Sequence, residues 1–489
     1  MKGSPGFPKI FFFLLTIFIY SGSISQMSGD QKDDSVTWQA STKYADPSFF
    51  KRLFLGRNYR KEWETPVKLP VFHLKGMGFK IKELGGGQQT KSLRLEDKNG
   101  RLWTLRTIDK DVEKALPPFL RNTIAEKITQ DMVSAAHPYA PLTVTVLSNA
   151  MGIIAPVPKI YFVPNDPDLD SFIGIFANTL CLLEQREPTP DKSNTESTEK
   201  VLEEIIEEND HLIIQKAVLR ARLLDMLIGD WDRHSDQWTW GVVEQNGVDY
   251  YYAIPRDRDQ AYFYSQGLLV KIARKIALPH LVGFRKDLSK LRKLNNKSWQ
   301  FDKTFLNELD RQEWKSTIKL VQSSLSDSVI SKAIHQLPPE VYPISGPQLE
   351  VKLKGRRNDL LNAGLKYYDI ISKSVTISGT DEAEIFKITG DNEQLTVKVF
   401  DKKDGKEGRQ IYQRTFIPIE TSEINLSGFG GADIFFIEEN VSVDIRIKLM
   451  GGEGKDVYNV KGDLSNTIYD AKADDNVIEN KSNTRVKIR

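Results

Sequence analysis

Two Asp-rich segments near the middle of the chain hold the residues whose types and spacing could do chemistry. The first runs from Ile228 to Trp238 and reads Ile-Gly-Asp-Trp-Asp-Arg-His-Ser-Asp-Gln-Trp. The second runs from Ile254 to Asp259 and reads Ile-Pro-Arg-Asp-Arg-Asp. Phosphoryl transfer needs a carboxylate beside the acceptor hydroxyl and further oxygen ligands that hold a metal ion on the phosphates. The two segments together supply both kinds of group.

The carboxylates divide into two roles on this interpretation. One group acts on the acceptor hydroxyl, and the other binds magnesium or manganese. The candidate catalytic residues are Asp232 and Arg233, and the candidate metal ligands are Asp236, Gln237, Asp257 and Asp259. Carboxylates this dense repel one another without a cation between them, so a metal or paired arginines must be present. The alternative interpretation is a surface ion network with Arg233, Arg256 and Arg258.

The elements that flank the two segments must position them. An apolar helix is predicted from about His211 to Ile228, directly before the first segment. Between the segments, Gln245-Asn246-Gly247 predicts the turn of a β-hairpin, because Asn-Gly readily adopts the positive φ angles of tight hairpin turns. A helix therefore leads into the first segment and a hairpin strand leads into the second.

Further elements are predicted on both sides of the two segments. The alternating runs 92–96 and 102–108 flank a turn at Lys98-Asn99-Gly100 and predict another hairpin. A helix is expected over about 118–135, where apolar residues recur at four-residue steps. Strands are expected at about 142–147, 159–163 and 172–183. The acidic stretch 187–210 is predicted to be a surface insertion that becomes helical near Val201. The basic helices within 271–294 are predicted to expose their charged faces to solvent. For these basic helices the alternative is contact with an acidic partner or with lipid headgroups.

The Asp-rich motifs resemble those of a known group of enzymes. Residues 228–234 followed by 254–259 are similar to the catalytic and metal-binding motifs of the atypical secreted kinases. That group includes the spore-coat CotH family, the Golgi secretory-pathway kinases and the HipA family, and type II phosphatidylinositol kinases carry a similar pair of motifs. Most of residues 50–460 also resembles an unassigned region of large exported Bacteroidetes proteins, where it lies between a calcineurin-like metallophosphoesterase domain and an outer-membrane-type barrel. The resemblance does not extend to those neighbouring domains.

The resemblance to kinases implies additional cofactor-binding residues, which are Gly85, Gly86, Gly87, Arg106, Glu126 and Glu184. The glycines correspond to the loop that covers the phosphates, and Arg106, on the second strand of the upstream hairpin, takes the place of the phosphate-pairing lysine. Glu126 on the next helix takes the place of the glutamate that pairs with this lysine. Glu184 falls where the hinge between the two lobes meets adenine. Arginine differs from lysine in reach and hydration, and Lys91 or Lys110 could supply the missing ammonium group.

The last part of the chain has a pattern of its own. Past Gly355 the composition changes to short Val-, Ile- and Thr-rich runs separated by Gly, Asp and Asn, which predicts a separate all-β unit. Two Gly-rich turns, Gly428 to Asp433 and Gly451 to Asp456, repeat 23 residues apart. The second matches the Gly-Gly-x-Gly-x-Asp turn of calcium-binding β-rolls, although those repeat about every nine residues. We therefore expect structural turns, with Ca²⁺ bound at Asp433 and Asp456 as the alternative.

The N-terminus has the order of a secretory signal. Lys2 and Lys9 precede an apolar run from Ile10 to Tyr20 and a short stretch of small polar residues. This run is shorter than the roughly 20 residues that span a bilayer, so we expect it to be cleaved, with an uncleaved anchor as the alternative. Cys181 is the only cysteine, so the fold depends on packing rather than on disulfides. The formal charge of +2 gives no reason to expect nucleic-acid binding.

A chain of 489 residues has room for more than one domain, since a single core rarely grows past roughly 300 residues. We expect an α+β fold, in which a two-lobed protein-kinase-like domain precedes a small all-β domain of solenoid- or sandwich-like form. The expected boundaries are a signal peptide at 1–26, a linker at 27–50, the kinase-like domain at 51–345, a linker helix at 346–370 and the β-rich domain at 371–489. The two lobes are expected at about 51–185 and 200–345.

The expected function is that of an exported phosphotransferase that uses ATP or another nucleotide with Mg²⁺ or Mn²⁺. Its acceptor would be a hydroxyl of a protein, glycan or lipid, and its location would be periplasmic, outer-membrane-associated or secreted, with an outer-membrane partner as a further expectation. One alternative is a catalytically inactive binding or assembly module of the cell envelope. Another is a metal-dependent phosphoester hydrolase built on Asp230, Asp232, His234 and Asp257.

Geometry separates these alternatives. In a kinase-like fold, Asp232 and Asp257 would converge beneath the strand of Arg106, and Glu126 would pair with Arg106. In a hydrolase, further histidines such as His137 or His73 would converge on the same carboxylates, because di-metal hydrolytic sites gather several histidine ligands.

Overall fold

The computed structural model describes residues 34–45, 47–85, 91–113, 116–191, 193–276, 278–470 and 476–488. Ser35–Arg489 form one compact unit, a mixed α/β structure with several sheets. The predicted signal peptide at 1–26 lies outside the described residues. Within the described ranges, no helix has both the length and the hydropathy required to cross a bilayer.

The first third of the unit alternates strands with short helices. Its strands are β1 (Ser35–Trp38), β2 (Val67–Pro70), β3 (Lys80–Gly85), β4 (Ser92–Glu96), β5 (Leu102–Thr107), β6 (Lys159–Val163) and β7 (Thr179–Gln185). Its helices are α1 (Phe49–Leu55), α2 (Arg60–Glu64), α3 (Ile124–Met132), α4 (Ala140–Ala150) and α5 (Ile173–Phe176). β1 pairs with β2, so a strand already lies within the stretch 27–50 that was predicted to be a linker.

Five of these strands form an antiparallel sheet in the order β3-β4-β5-β7-β6. The predicted hairpin is its β4–β5 pair. Because side chains alternate between the two faces of a strand, Leu105, Cys181 and Leu183 are buried in a core on one face. Arg106 and Glu184 point from the other face. The same face also carries Leu182, which belongs to the main core, so Arg106 and Glu184 lie at the border of that core.

The strand predicted at 142–147 is wrong, because α4 covers this region as a helix. Its β-branched residues favour a strand, and an apolar run this short cannot be assigned by periodicity alone. Pro141 lies in the first turn, where its missing N–H is not needed, and Val144 and Leu147 are buried. Burial in the core decided the outcome. The strand predicted at 172–183 likewise begins later, since α5 precedes β7.

The middle of the unit is mostly helical. Its strands are β8 (Glu196–Ser197), β9 (His211–Ile213), β10 (Trp238–Glu244) and β11 (Asp249–Pro255). Its helices are α6 (Thr198–Glu207), α7 (Gln215–Ile228), α8 (Leu268–Ile276), α9 (Leu291–Leu294), α10 (Trp299–Phe305), α11 (Arg311–Ser324), α12 (Asp327–Ile334) and α13 (Tyr342–Ile371). The sheet order is β8-β10-β11-β9. The predicted second hairpin is the β10–β11 pair, and α7 supplies a fully buried core stretch directly before the first Asp-rich segment.

The C-terminal part is all β, as predicted. Its strands are β12 (Ser374–Ser378), β13 (Glu384–Gly390), β14 (Leu395–Lys403), β15 (Lys406–Phe416), β16 (Glu423–Phe429), β17 (Ile434–Ile437), β18 (Arg446–Gly452), β19 (Val457–Val460), β20 (Asn466–Asp470), β21 (Val477–Lys481) and β22 (Thr484–Ile488). One sheet has the order β12-β16-β18-β20-β22, and the other has the order β15-β14-β13-β17-β19-β21. From β16 to β22 consecutive strands alternate between the two sheets, and neighbours among them within each sheet run parallel. Side chains from both sheets share one apolar core.

Candidate active site

The end of α7 sets the direction of the first Asp-rich segment. Gly229 ends the helix in the left-handed conformation, with φ of 73°. A Cβ atom at this position would lie 2.9 Å from the ring of Phe284, so glycine is required for space as well as for backbone angle. The buried Arg356 donates hydrogen bonds to the carbonyls of Met226 and Leu227, both at 2.6 Å. These contacts satisfy carbonyls that the end of a helix leaves without partners.

A buried carboxylate beneath the loop holds three arginines. Asp225 on α7 pairs with Arg222 at 3.0 Å, with Arg233 at 3.2 Å and with Arg258 at 3.0 Å. Burial alone would raise the pKa of Asp225, yet the guanidinium groups hold this pKa below its ordinary value. Arg233 belongs to the first Asp-rich segment and Arg258 to the second. Asp225 therefore joins the two segments from below.

Arg233 acts on the backbone of both segments. Its guanidinium donates to the carbonyl of Arg256 at 2.6 Å and to the carbonyl of Gln237 at 3.1 Å, and the residue is almost fully buried. The backbone N–H of Arg256 also donates to the carbonyl of Gln237 at 2.9 Å. Arg233, predicted as a catalytic residue, thus faces the core and positions the two loops relative to each other.

Asp232 lies at the exposed side of the loop. Its Oδ1 pairs with Lys297 Nζ at 2.7 Å, and the Lys297 ammonium also lies 4.6 Å from the ring centre of Trp231. The ring of His280 stacks against the ring of Trp231, with ring centres 4.8 Å apart. Burial, together with the nearby Lys297, lowers the pKa of His280 to about 4. Lys297 therefore contacts both the Asp232 carboxylate and the face of Trp231.

Asp230, two residues earlier, is buried. Its Oδ1 accepts a hydrogen bond from the backbone N–H of Asp232 at 3.1 Å. Burial, opposed by Arg233 and reinforced by the charges of Asp225 and Asp232, raises the pKa of Asp230 to about 7. Asp230 therefore fixes the backbone of the loop that carries Asp232.

The second segment turns sharply after β11. Asp257 has a φ of 53°, in the left-handed region that residues other than glycine adopt infrequently. This conformation lets neighbouring side chains diverge, so that Arg258 enters the core beneath the loop. Asp257 and Asp259 remain with the charged groups beside the five-stranded sheet.

Two cations from the sheet side meet these two carboxylates. Arg106 on β5 pairs with Asp257, and it also lies 3.5 Å from Glu184 on β7. Lys110, just after β5, pairs with Asp259 at 2.6 Å. Burial opposes ionisation of Asp257, but Arg106 and Lys110 outweigh it, so its pKa lies below the ordinary value. Burial and the adjacent Asp257 charge raise the pKa of Asp259.

Two clefts border this charged group. One is lined by residues that include Trp63, His137, Arg106, Lys110, Asp257 and Asp259. The other is lined by residues that include Val144, Pro156, Leu182, Glu184, Asp257 and Asp259. Asp257 and Asp259 are common to both. A ligand with a charged and an apolar part would find both kinds of surface around these two carboxylates.

The structure brings together part of the predicted set. One cluster contains Arg106, Glu184, Asp257 and Asp259. The ammonium group beside it belongs to Lys110, whereas Lys91 lies 3.7 Å from Asp111. Sequence reasoning missed Asp225 and Lys297. Asp225 falls on the apolar helix, and only its proximity to three arginines distinguishes it. Lys297 is distant in sequence from both segments, so no local signal pointed to it.

Other predicted residues lie elsewhere. Glu126 does not pair with Arg106; it accepts a hydrogen bond from the backbone N–H of Asn122 at 2.6 Å, because α3 begins at Ile124 and Glu126 lies in its first turn. The side chain of Asp236 is 86% exposed and lies 3.5 Å from His234. The side chain of Gln237 is also next to His234, at 3.5 Å. Gly85 ends β3, whereas Gly86 and Gly87 lie outside the described residues.

A different acidic and histidine cluster occurs at β9. Among the described residues, the group of three or more possible ligands whose donor atoms all lie within 4.8 Å consists of Glu208, Asp210 and His211. It is partly exposed, and His211 also lies 3.7 Å from Asp249. None of these residues was predicted as a metal ligand.

The aspartates of the Gly-rich turns form a buried ladder in the β domain. Asp433 Oδ1 accepts from the backbone N–H of Glu384 at 2.7 Å, and Asp456 Oδ1 accepts from the backbone N–H of Asp433 at 2.8 Å. Asn476 Oδ1 continues the series with the backbone N–H of Asp456 at 2.7 Å. A Cβ at Gly451 would lie 1.9 Å from Asp456 Oδ2. These turns repeat because each acid bonds to the turn before it, which supports the structural interpretation over calcium binding.

Comparisons with known proteins add little to this geometry. No protein-family model matches the chain, and no curated protein sequence matches it. The crystal structure of a Helicobacter pylori proinflammatory kinase, CtkA, is similar, with 11% sequence identity and a TM-score of 0.30. The match covers 56% of this chain and 93% of the CtkA chain. A TM-score this low does not assign a fold.

Proposed function

We propose that this chain is a kinase-like phosphotransferase that uses a nucleotide and a divalent metal on a hydroxyl of a protein, glycan or lipid. The observation that carries the proposal is the meeting of Arg106 and Lys110, from the sheet side, with Asp257 and Asp259, from the end of the hairpin. Phosphoryl transfer depends chiefly on positioning and on neutralising phosphate charge. Cations and carboxylates held in one place, with clefts on both sides, suit that task.

The cations are the groups expected to bind phosphate. Arginine can contact phosphate oxygens through two N–H groups at once, whereas lysine acts as a compact point charge. Arg106 and Lys110 are both held by carboxylates on the protein, so they are already oriented before a ligand arrives. Pre-oriented charges contribute more to binding than charges that must be ordered on binding. Glu184 limits how far Arg106 can turn, because its carboxylate lies on the other side of the guanidinium.

Asp232 is the group expected to act on the acceptor. Lys297 holds its Oδ1 at 2.7 Å, which leaves Oδ2 to accept the hydroxyl proton of an acceptor. The backbone of the loop is fixed from below by Arg233 and by Asp230. A carboxylate on a fixed loop is suited to orienting a hydroxyl toward phosphate, and this is the role proposed for Asp232.

A divalent metal fits the donor set of Asp257 and Asp259. Both offer carboxylate oxygens, and Mg²⁺ in nucleotide sites is usually held by one or two carboxylates together with substrate phosphates. The lowered pKa of Asp257 keeps it ionised at neutral pH. When bound, the metal would supply positive charge against the phosphates. Because Arg106 and Lys110 occupy the same carboxylates, we expect metal affinity to be low until a nucleotide engages the two cations.

One observation favours an inactive binding module as the second candidate. The ion pair of Arg106 with Asp257 joins a proposed phosphate-binding group directly to a proposed metal ligand. If this contact persists with nucleotide present, the cleft would bind without transferring phosphate. The hydrolase has less support: the Nε2 of His137 is engaged by Ser345 Oγ at 3.1 Å, and the Asp/Glu/His cluster found among the described residues lies at β9.

Location outside the cytoplasm is also part of the proposal. Its support is the order of charged, apolar and small residues over 1–26, which is typical of a secretory signal. Detection of Met27 or a neighbouring residue as the N-terminus of the secreted or periplasmic protein would test it.

Nucleotide binding tests the phosphotransferase, and the chain from residue 27 is suitable because Ser35–Arg489 form one compact unit. We expect calorimetry to detect ATP binding that requires Mg²⁺ or Mn²⁺. Asp257→Asn should abolish the metal dependence, whereas Asp232→Asn should retain binding and lose phosphate transfer, measured as ADP release with acceptor mixtures. Loss of one general base typically lowers a rate by about 10²–10⁴-fold.

A matched control separates these effects from altered folding. Glu244→Gln removes an exposed carboxylate at the tip of the β10–β11 hairpin, and it should change neither binding nor transfer. Binding without transfer in the wild-type chain would favour the inactive module. Failure of every nucleotide to bind would refute the phosphotransferase and favour an inactive module that binds another partner at the cell envelope.

A further inference from the structure

Helices α1 and α8 expose an unusual number of large apolar side chains. On α1, Phe49 and Phe50 are each 68% exposed and Leu53 is 51% exposed. On α8, Ile272 is 45% exposed and Ile276 is 80% exposed. Single exposed apolar residues are ordinary, but groups of them mark contact surfaces.

On α8 these residues form a stripe. Leu268, Ile272 and Ile276 recur at four-residue steps, which places them on one face of the helix. Val270 is buried on the opposite side, where it shares a small core with Phe263. The helix is therefore anchored by one face and presents an apolar stripe on the other.

The two helices adjoin through glycines. A Cβ at Gly267, directly before α8, would lie 2.4 Å from the carbonyl oxygen of Phe54 on α1. A Cβ at Gly56, directly after α1, would lie 2.9 Å from the backbone N of Gly267. The backbones approach this closely only because neither residue has a side chain. The exposed apolar residues of α1 and α8 therefore belong to one neighbourhood, here called the α1–α8 surface.

Positive charge accompanies the α8 part of this surface along the chain. The stretch from Gln260 to Lys286 contains five Lys and Arg residues and no Asp or Glu. On α8, Lys271 and Lys275 are one residue from Ile272 and Ile276, so they flank the apolar stripe, and both are exposed. On α1, Arg52 is exposed, and the helix has no acidic residue.

We propose that the α1–α8 surface docks on an anionic lipid bilayer. An exposed apolar stripe flanked by lysines is the pattern of helices that lie in the plane of a membrane interface. The apolar side chains would enter the boundary between headgroups and acyl chains, and the lysines would face anionic headgroups. The exposed positive charges of Arg52, Lys271 and Lys275 favour this occupant over a second copy of the chain, because two copies of these charges would repel each other.

The position of this surface gives the docking a consequence. Trp231, the neighbour of Asp232, packs against the same small core as Val270 and Phe263. A bilayer on the α1–α8 surface would therefore lie near the loop that carries Asp232. The docking itself does not depend on phosphate transfer, so failure of nucleotide binding would leave this inference standing.

Vesicle binding tests the proposal with the chain from residue 27, which lacks the apolar run 10–20. We expect co-sedimentation with vesicles of phosphatidylcholine and phosphatidylglycerol, and at least about tenfold weaker binding to phosphatidylcholine alone or at high salt, since each basic residue near an anionic surface contributes roughly fivefold. Lys271→Gln with Lys275→Gln should weaken binding about 25-fold on the same basis. Ile272→Ser with Ile276→Ser should weaken it more than tenfold, because each buried CH₂ contributes about fourfold.

Leu320→Ser with Val351→Ser is the matched control, since these residues are similarly exposed on α11 and α13. It should leave vesicle binding unchanged. Absence of binding, or equal binding to neutral and anionic vesicles, would overturn the proposal. So would a dimer in analytical ultracentrifugation that Ile272→Ser with Ile276→Ser converts to monomer, because this outcome assigns the surface to a second copy. The wild-type salt and lipid comparisons remain decisive even if a variant fails to fold.

Discussion

The Asp-rich loops and the Gly-rich turns of the β domain use the same residue in opposite ways. In the loops, Asp225, Asp257 and Asp259 are balanced by arginine and lysine side chains. In the turns, Asp433 and Asp456 are balanced by backbone N–H groups and lie buried. On the proposed function, the loop carboxylates at the cleft would exchange their cations for a ligand. The turn carboxylates would not, because their partners are backbone N–H groups fixed by the fold.

This difference shows why motif density alone does not identify a site. A carboxylate paired with a cationic side chain beside a cleft can change partners when a ligand binds, whereas one bonded to a backbone N–H fixes a turn. The glycines follow the same division. Gly229 frees a loop to leave its helix, whereas Gly428 and Gly451 leave space for the carboxylates that join successive turns.

The largest effect is expected at the carboxylate beneath the loops. Asp225→Asn keeps the shape of the side chain but leaves Arg222, Arg233 and Arg258 short of a buried counter-charge. Breaking a buried ion pair on one side typically costs about 3–5 kcal/mol, so the free energy of unfolding measured in urea should fall by that amount. A fall below about 1 kcal/mol would show that the arginines find other partners. Glu244→Gln, an exposed change, should stay within about 0.5 kcal/mol.

The carboxylate ladder of the β domain should make the protein less stable as the pH rises, which is opposite to the usual effect of an aspartate. Burial and the nearby Glu384 and Asp456 carboxylates raise the pKa of Asp433 to about 8, against about 3.9 in an unfolded chain. Between these values the folded state retains a proton that the unfolded state has lost. The free energy of unfolding should therefore fall as the pH rises, by at most about 1.4 kcal/mol per pH unit, and level off above pH of about 8.

Unfolding measured across this pH window, in the wild type and in Asp433→Asn, checks the assignment. The asparagine variant should lose the part of the slope that Asp433 contributes. Asp444→Asn, an exposed change in the same domain, should retain the wild-type slope. Parallel profiles for the wild type and Asp433→Asn would refute a protonated aspartate in the ladder.

The smallest change in stability is expected where an added methyl group would occupy the space of a ladder carboxylate. Gly451→Ala places a Cβ 1.9 Å from Asp456 Oδ2, and overpacking of this kind costs about 1–3 kcal/mol. The thermal unfolding midpoint should fall accordingly. Gly174→Ala is the matched change, because no atom lies within 4 Å of its added Cβ, and it should be neutral or slightly stabilising. Equal effects of the two changes would remove the steric basis of the repeat.

Local patterns predicted the elements whose signals are short-range. The β4–β5 and β10–β11 hairpins follow from Asn-Gly turns between alternating runs, and α7 follows from its apolar character before Gly229. The helix α4 was missed because an apolar, β-branched run fits either a strand or a buried helix. The predicted pairing of Glu126 with Arg106 is wrong for another reason. Both residues were placed on the correct elements, but Arg106 instead lies beside Glu184 on the adjacent strand.

By itself the sequence determined which residues could do chemistry, the helix and hairpin that carry them, and the change to an all-β domain. These depend on spacing, turn residues and periodicity, which act over a few residues. Only the tertiary structure decided that Arg106 and Lys110 meet Asp257 and Asp259, that Lys297 reaches Asp232, and that Asp225 holds three arginines. These contacts join residues far apart in sequence, and their partners are selected by packing and by the need to balance each buried charge.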